Sequence, residues 1–380
     1  MIAAVDVAVI GAGIAGTSAA LEARRHGVAT TLVTDGPVGR SNSIMAQGGI
    51  QIPRGDDSDL EQMVQDMMSV GGAEVDIARV ERFVGELPGL LSLLESWGLE
   101  FDRDETGELV RRIAGGMSTP RVLTVGDHIG RPLMRLLRSR VEAVCDVLSS
   151  CSVSCLDVDP DFHLMTTSGE VRAKAVVVAV GGTAYQEALA TGQLTSNPPN
   201  ENARIRASLE GLGLRELAPR RFQWHPFGLV GSRKGITLAC VPESVSALGP
   251  RLITTDGEIV ALPRPRSEVV SAMREARMKH SAVRITLGDL APDVLARFTK
   301  VQRYIRDYGE EPEVVPVLHY ELSGFPTAVD QSTGVPGLFL AGEIVGGIHG
   351  RERLMGAGVA DSLVHGRRAG ESAARFVTGG

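Results

Sequence analysis

A run of apolar residues that ends in regularly spaced glycines constrains this chain more than any other feature. Val5, Val7, Ala8, Val9 and Ile10 suffice for one strand buried in a parallel sheet. Gly11, Gly13 and Gly16 follow as G-x-G-x-x-G, and residues 17–25 carry a helical pattern that His26-Gly27 ends. Each glycine has a task. Gly11 permits the tight turn, Gly13 lets backbone approach a pyrophosphate, and Gly16 lets the helix lie close to its strand. Ile14 and Ala15 then sit at a helix start, where N–H groups face an anion. A second apolar run, residues 30–33, ends at Thr34-Asp35, where an acceptor for a ribose hydroxyl is expected. Glycine-rich turns occur in other α/β proteins too; strand, helix, second strand and acid in this order point to dinucleotide binding.

Composition narrows the class. A chain of 380 residues, 43% hydrophobic and 22% charged, has the make-up of a soluble globular protein with one large domain or two ordinary ones. Its net charge of -7 argues against a nucleic-acid partner but leaves room for a local basic pocket. No apolar run is long enough to span a bilayer. Asp6 interrupts the first apolar stretch and no basic leader precedes it, so no signal peptide is expected and the cytoplasm is the expected location. Cys145, Cys151, Cys155 and Cys240 do not follow a zinc or iron–sulfur spacing, so no metal is expected. Cys151, Val153 and Cys155 alternate as on a strand, so the two thiols would share one face, and the cysteines are expected to be buried free thiols.

Further along, Gly48-Gly49 allow close approach to a flat ligand. Helices are expected over residues 57–70, with Asp57 or Ser58 as cap, and in two pieces over 77–97 broken near Pro88. A basic amphipathic helix is expected over 132–144, and strands over 152–158, 161–166 and 173–179. The last strand arrives at Gly181-Gly182, a second glycine turn that would touch the cofactor. Residues 204–212 read as a helix. Residues 222–227, F-Q-W-H-P-F, stand out for their density of aromatic and polar groups. From about 228 to 317 the β-α alternation gives way to prolines, basic residues and short mixed elements. It returns at His319 and leads through a short strand ending at Gly342-Glu343 to a final helix over 359–376.

Together these stretches resemble the flavoprotein family of fumarate reductase, L-aspartate oxidase and the succinate dehydrogenase flavoprotein subunit. Arg40-Ser41-Asn42-Ser43-Ile44-Met45-Ala46-Gln47-Gly48-Gly49 is similar to the family's S-H-T-x-A-A-Q-G-G segment. Gln223-Trp224-His225-Pro226 resembles Q-F-H-P, and His319-Tyr320 with Gly324-Phe325-Pro326-Thr327 resembles H-Y-x-x-G-G-I-P-T. Residues 337–343 resemble G-L-Y-A-A-G-E, and His349-Gly350-Arg351-Glu352-Arg353-Leu354 resembles H-G-A-N-R-L.

The resemblance implies an α/β fold: a Rossmann-like FAD-binding domain, residues 1–227 and 318–380, with an inserted α+β capping domain, residues 228–317. The family's C-terminal helical domain is expected to be absent. It implies FAD, held by Gly11, Gly13, Ile14, Ala15, Gly16, Thr34, Asp35, Arg40, Ser41, Asn42, Ser43, Ala46, Gln47, Gly48, Gly49, Gly181, Gly182, Gly342, Glu343, Gly358 and Val359. It implies hydride transfer at flavin N5 beside a carboxylate. His225, His319 and Arg353 match the residues that grip the substrate, since an arginine fork pairs well with a carboxylate. Arg266 matches the proton-transferring arginine, and Glu243 its relay. One extra residue before Val269-Val270 leaves Arg264 as the alternative for the arginine.

Departures matter as well. Asn42 stands where the family attaches its flavin covalently through histidine, so FAD is expected to be non-covalent. Pro242, Ser246 and Phe227 replace polar residues near the substrate, Glu201-Asn202-Ala203 replaces G-D-G, and Ala357-Gly358-Val359 replaces N-S-L. The expected activity is interconversion of a small dicarboxylate of the fumarate/succinate type and its unsaturated or oxidised form, with L-aspartate second; an electron partner, if needed, is expected to be a separate electron-transfer protein or a small acceptor such as O2. The alternatives are an enone or ring substrate and a non-catalytic flavin-binding electron-transfer subunit. A nicotinamide enzyme is the weakest.

Overall fold

The computed structural model describes residues 3–200, 202–262, 264–280 and 282–380, so the positions of Glu201 and Pro263 lie outside the described residues. The first strand, β1 (Ala3–Ile10), feeds the turn into α1 (Ile14–Arg25), and the chain returns as β2 (Thr30–Val33). Apolar, largely β-branched residues buried from both sides make β1 and β2 parallel neighbours at the heart of a sheet.

A helical stretch follows: β3 (Ile50–Gln51), α2 (Asp57–Gly71), α3 (Ile77–Glu86) and α4 (Pro88–Ser96). The cap of α2 is Asp56, one residue earlier than the pattern implied, because its carboxylate accepts the Asp59 N–H at 3.0 Å. Strands β4 (Arg111–Arg112) and β5 (Val122–Leu123) close a small antiparallel sheet with β3. Beneath it Arg121, 0% exposed, bonds Asp66 at 2.6 Å and Thr119 at 2.7 Å, so this buried cation is paired.

The basic helix α5 (Gly130–Val144) leads to β6 (Asp146–Leu148), β7 (Val153–Val158), β8 (Phe162–Thr166) and β9 (Gly169–Val178). The seven-stranded sheet runs β6-β2-β1-β9-β8-β7, with β15 (Leu338–Leu340) also on β9. Strands β6, β2, β1, β9 and β15 are mutually parallel, while β7, β8 and β9 form an antiparallel meander. A bulge between Val153 and Cys155 resets the alternation of β7, so Val153 is buried and Cys155 is exposed. The expectation that Cys155 is buried beside Cys151 is thereby corrected.

Helices α6 (Ala184–Thr191) and α7 (Ala203–Gly211) precede β10 (Phe222–Leu229), the stretch whose composition suggested no element. It pairs antiparallel with β14 (Val314–Glu321), and this ribbon runs through both expected domain boundaries. Between the two strands lie β11 (Arg251–Thr254), β12 (Gly257–Ala261), α8 (Arg266–Lys279), β13 (Arg284–Ile285), α9 (Pro292–Arg297) and α10 (Thr299–Tyr308). Phe227, Leu252, Met273, Phe298 and Val301 belong to a hydrophobic core of this segment, distinct from the cores of the main sheet.

Two carboxylates of the main body hold helix starts of this segment. Asp127 accepts the backbone N–H groups of Lys300 at 2.7 Å and Val301 at 3.0 Å, at the start of α10. Glu352 accepts those of Arg266 at 2.7 Å and Ser267 at 3.4 Å, at the start of α8. Both sit where a helix leaves N–H groups unpaired and its dipole favours an anion. The final helix α11 (Ala357–Thr378) lies against α1 through Gly366 and Gly370, where a Cβ would come within 2.4 Å and 2.1 Å of the Ala15 and Ala19 carbonyl oxygens. No described helix is long and apolar enough to cross a membrane.

Candidate active site

Parallel pairing sets the site. Ile10 is in register with Val33 and with Val178, and Val178 with Leu340, so four strands end side by side. The turns after them, at residues 11–16, 34–35, 181–182 and 342–343, therefore line one edge, the place where open α/β sheets bind ligands. They border a trench, open to solvent, with a cavity volume of about 320 Å³, within the ~300–1,000 Å³ of small-molecule sites. Every site residue expected from the sequence lines it except Gly16. Gly16 lies behind, where a Cβ would come within 1.8 Å of the Gly11 carbonyl oxygen. Gly11 has φ 103° and a Cβ there would meet the Ala179 carbonyl oxygen at 2.4 Å, so strain and space both require glycine.

At this end the Ile14 N–H donates to Ser43 Oγ at 3.0 Å, and the Ser43 N–H donates to Ser41 Oγ at 3.3 Å. The next N–H groups of α1 have no acceptor within the helix. Gly358 and Val359 present the same feature at the start of α11, beside Gly356 in the left-handed region. Gln47 Oε1 is buried without a partner. Asn202 Nδ2 donates to the Gly182 carbonyl at 2.6 Å and fixes the second glycine turn. Glu343 accepts the Glu321 N–H at 2.9 Å, and burial pushes its carboxyl up to about 7. These groups fit FAD: helix-start N–H groups for a pyrophosphate, and acceptors for its hydroxyl and N–H donors.

At the other end the insert and the main body meet. Strands β10 and β14 bring His225 and His319 together, their ring centroids 5.0 Å apart. His225 Nδ1 accepts the Phe227 N–H at 3.1 Å, so its proton lies on Nε2 and that nitrogen is a donor. His319 Nδ1 engages the Ser196 hydroxyl at 2.7 Å. Burial, opposed at His225 by the Glu243 carboxylate and aided at both rings by Arg266 and Arg353, keeps both rings neutral: His225 is held down to about 4, and His319 well below the usual histidine range.

Arg353 is 7% exposed, and burial lowers its guanidinium to about 10. Its guanidinium carbon stands 4.4 Å from the centre of the Tyr320 ring, and its Nε has no partner. Among the described residues no carboxylate forms an ion pair with it. Arg266, by contrast, makes a bidentate pair with Glu243: Nε donates to Oε1 at 2.6 Å and Nη2 to Oε2. Its Nη1 donates to the Arg353 carbonyl at 2.6 Å. Burial raises the Glu243 carboxyl, but Arg266 outweighs it and keeps the net shift downward. Arg264 does not line the trench; its side chain is 54% exposed and pairs with Glu268.

Sequence reasoning passed over Tyr320, Ser196 and Asn197, which also line the trench. Tyr320 directly follows His319 in the H-Y motif. Asn197 lies in a loop without a pattern, and its amide donates to the His319 carbonyl at 3.0 Å. Neither Phe227 nor Pro242 lines the trench; Phe227 is 1% exposed inside the insert's core.

Comparison with known proteins agrees with this layout. Residues 6–359 match the family described as FAD binding domain. The fumarate reductase flavoprotein subunit of Mycobacterium tuberculosis is 28% identical over 421 residues, 98% of this chain and 70% of that protein. L-aspartate oxidase of Streptomyces coelicolor is 29% identical over 411 residues, 99% of this chain and 70% of that protein. The FrdA chain of E. coli quinol fumarate reductase shares the fold, with TM-score 0.88 at 23% identity over 99% of this chain and 70% of that one. With the glycine turns, the trench and a match that runs almost end to end, the chain belongs to the FAD-binding family of flavin-dependent oxidoreductases that includes fumarate reductase flavoprotein subunits and L-aspartate oxidases.

Proposed function

We propose that this enzyme interconverts a small dicarboxylate and its unsaturated form, fumarate/succinate first and L-aspartate second. The observation that carries the reading is Arg353: a buried guanidinium with an orphaned Nε and no anionic partner among the described residues. A buried cation left so is costly unless a ligand supplies the anion. His225 and His319, neutral and facing one another, provide further contacts for a second carboxylate. FAD, when bound, supplies a two-electron hydride acceptor or donor, and Asn42 leaves its attachment non-covalent.

The chain's own residues do the rest. Arg353 and the histidines hold the carboxylates and so orient the carbon–carbon bond. Arg266 exchanges a proton with the substrate carbon, and Glu243, in bidentate contact, takes up or returns it. Residues 228–317 act as the cap that excludes water over this end. On this reading the enzyme works in the cytoplasm and a separate electron-transfer protein completes the cycle; reoxidation by O2 at the catalytic rate would make that partner unnecessary. Phe227 and Pro242 lie off the trench and give no support to an enlarged ring-binding pocket.

The test is competitive binding, read from flavin absorbance, of fumarate, succinate, malonate and oxaloacetate against crotonate and butyrate. A charge-assisted hydrogen bond is worth roughly 1.5–3 kcal/mol, so a missing carboxylate costs about tenfold or more in affinity. Arg353→Ala should abolish that preference and leave FAD bound. Equal affinity for mono- and dicarboxylates would falsify the reading.

A further inference from the structure

The basic helix foreseen over residues 132–144 plays no part in the site just described, yet its first turn joins a second cavity. This smaller space lies between the 44–47 loop and the starts of α5 and α10, and His128, Arg131, Lys300 and Arg303 line it. Met45, Ala46 and Gln47 line both it and the trench, so the two spaces share a wall. Among the described residues, Arg131, Lys300 and Arg303 form no ion pair with a carboxylate. Asp127 is the acid at hand, and it is already engaged by the backbone N–H groups of Lys300 and Val301 and by His128 Nδ1 at 3.0 Å. Burial, with the charges of Arg303 and Arg131 acting against Cys240 and Asp127, holds the Lys300 ammonium down to about 8. A concentration of unpaired positive charge next to the trench, on a chain of net charge -7, attracts a small anion that the rest of the surface repels.

We propose that this cavity is a cationic vestibule that captures the dicarboxylate and delivers it to the buried end of the trench. The inference rests on the dicarboxylate reading above and adds the route and the residues that set the rate of arrival. Charges that guide an encounter raise the association rate and lose their effect as salt shortens the reach of the field, whereas charges that grip the bound ligand act on its release.

The experiment is stopped-flow binding of succinate to the oxidised FAD-loaded enzyme, followed by flavin absorbance, at low and high ionic strength. The comparison is wild type against the double variant Arg131→Glu with Arg303→Glu; both side chains are exposed, so the fold should tolerate the change. The expected result is an association rate about tenfold lower for the variant at low salt and a flattened salt dependence. The dissociation rate and kcat at saturating substrate should stay as in wild type. The milder pair Arg131→Gln with Arg303→Gln should fall between them. An association rate and salt dependence unchanged in both variants would overturn the vestibule while leaving the dicarboxylate reading in place. No flavin response of the wild type to any dicarboxylate would overturn both.

Discussion

Arg266 and Arg264 show how two residues decide a chemical role. Both are cations at the start of one helix. Arg264 is exposed and makes a surface pair of little energetic consequence, whereas Arg266 is 6% exposed and locked between Glu243 and the Arg353 carbonyl. A planar fork makes these contacts together, and a lysine ammonium cannot. Arg266→Lys is therefore expected to lower kcat by about 10²–10⁴ with KM little changed, because a proton carrier acts in the transition state. Arg264→Lys should stay close to wild type. Steady-state kinetics on both variants decides the assignment, and the opposite pattern would hand the role to Arg264.

At the level of elements, the insert is anchored by carboxylates outside it. Glu352 caps α8 and Asp127 caps α10. Because Arg266 is the first residue of α8, the cap also fixes the backbone from which the guanidinium reaches into the trench. Loss of such a cap costs about 0.5–2 kcal/mol. Glu352→Ala should speed hydrogen exchange at the first turn of α8 and lower kcat. Asp127→Ala should speed exchange at the first turn of α10 and leave α8 protected. Uniform protection in both variants would show that packing of the insert's core, not the caps, holds these helices.

For the whole molecule, the segments proposed to retain FAD are distant in sequence but line one trench: the α1 start, the 40–49 loop, the second glycine turn and the α11 start. On the proposed reading no histidine at position 42 bonds the flavin, so its retention depends on the fold being intact. Acid precipitation of the holoprotein should release all flavin as FAD into the supernatant. Flavin left in the pellet would mean a covalent link, and FMN in the supernatant would mean that the turn at residues 11–16 holds no second nucleotide.

The sequence by itself determined the elements whose causes are local. The β1–α1 turn was legible because glycine at 11 and 16 answers to sterics within a few residues, and the parallel strands because burial on both faces demands unbroken apolar runs. The motifs carrying His225, His319, Glu243 and Arg353 were legible through resemblance. Tertiary structure alone decided the rest. Residues 222–229 became a strand because β14, about 90 residues away, pairs with them. Cys155 turned outward because a bulge against β8 shifted its register. Arg266 was separated from Arg264 because only its side chain meets Glu243 across the insert. Asp127 and Glu352 became caps because folding brings them against helix starts far along the chain. In each case the deciding partner is absent from the local sequence, and the free energy of the contact exists only once the chain has closed the loop between them.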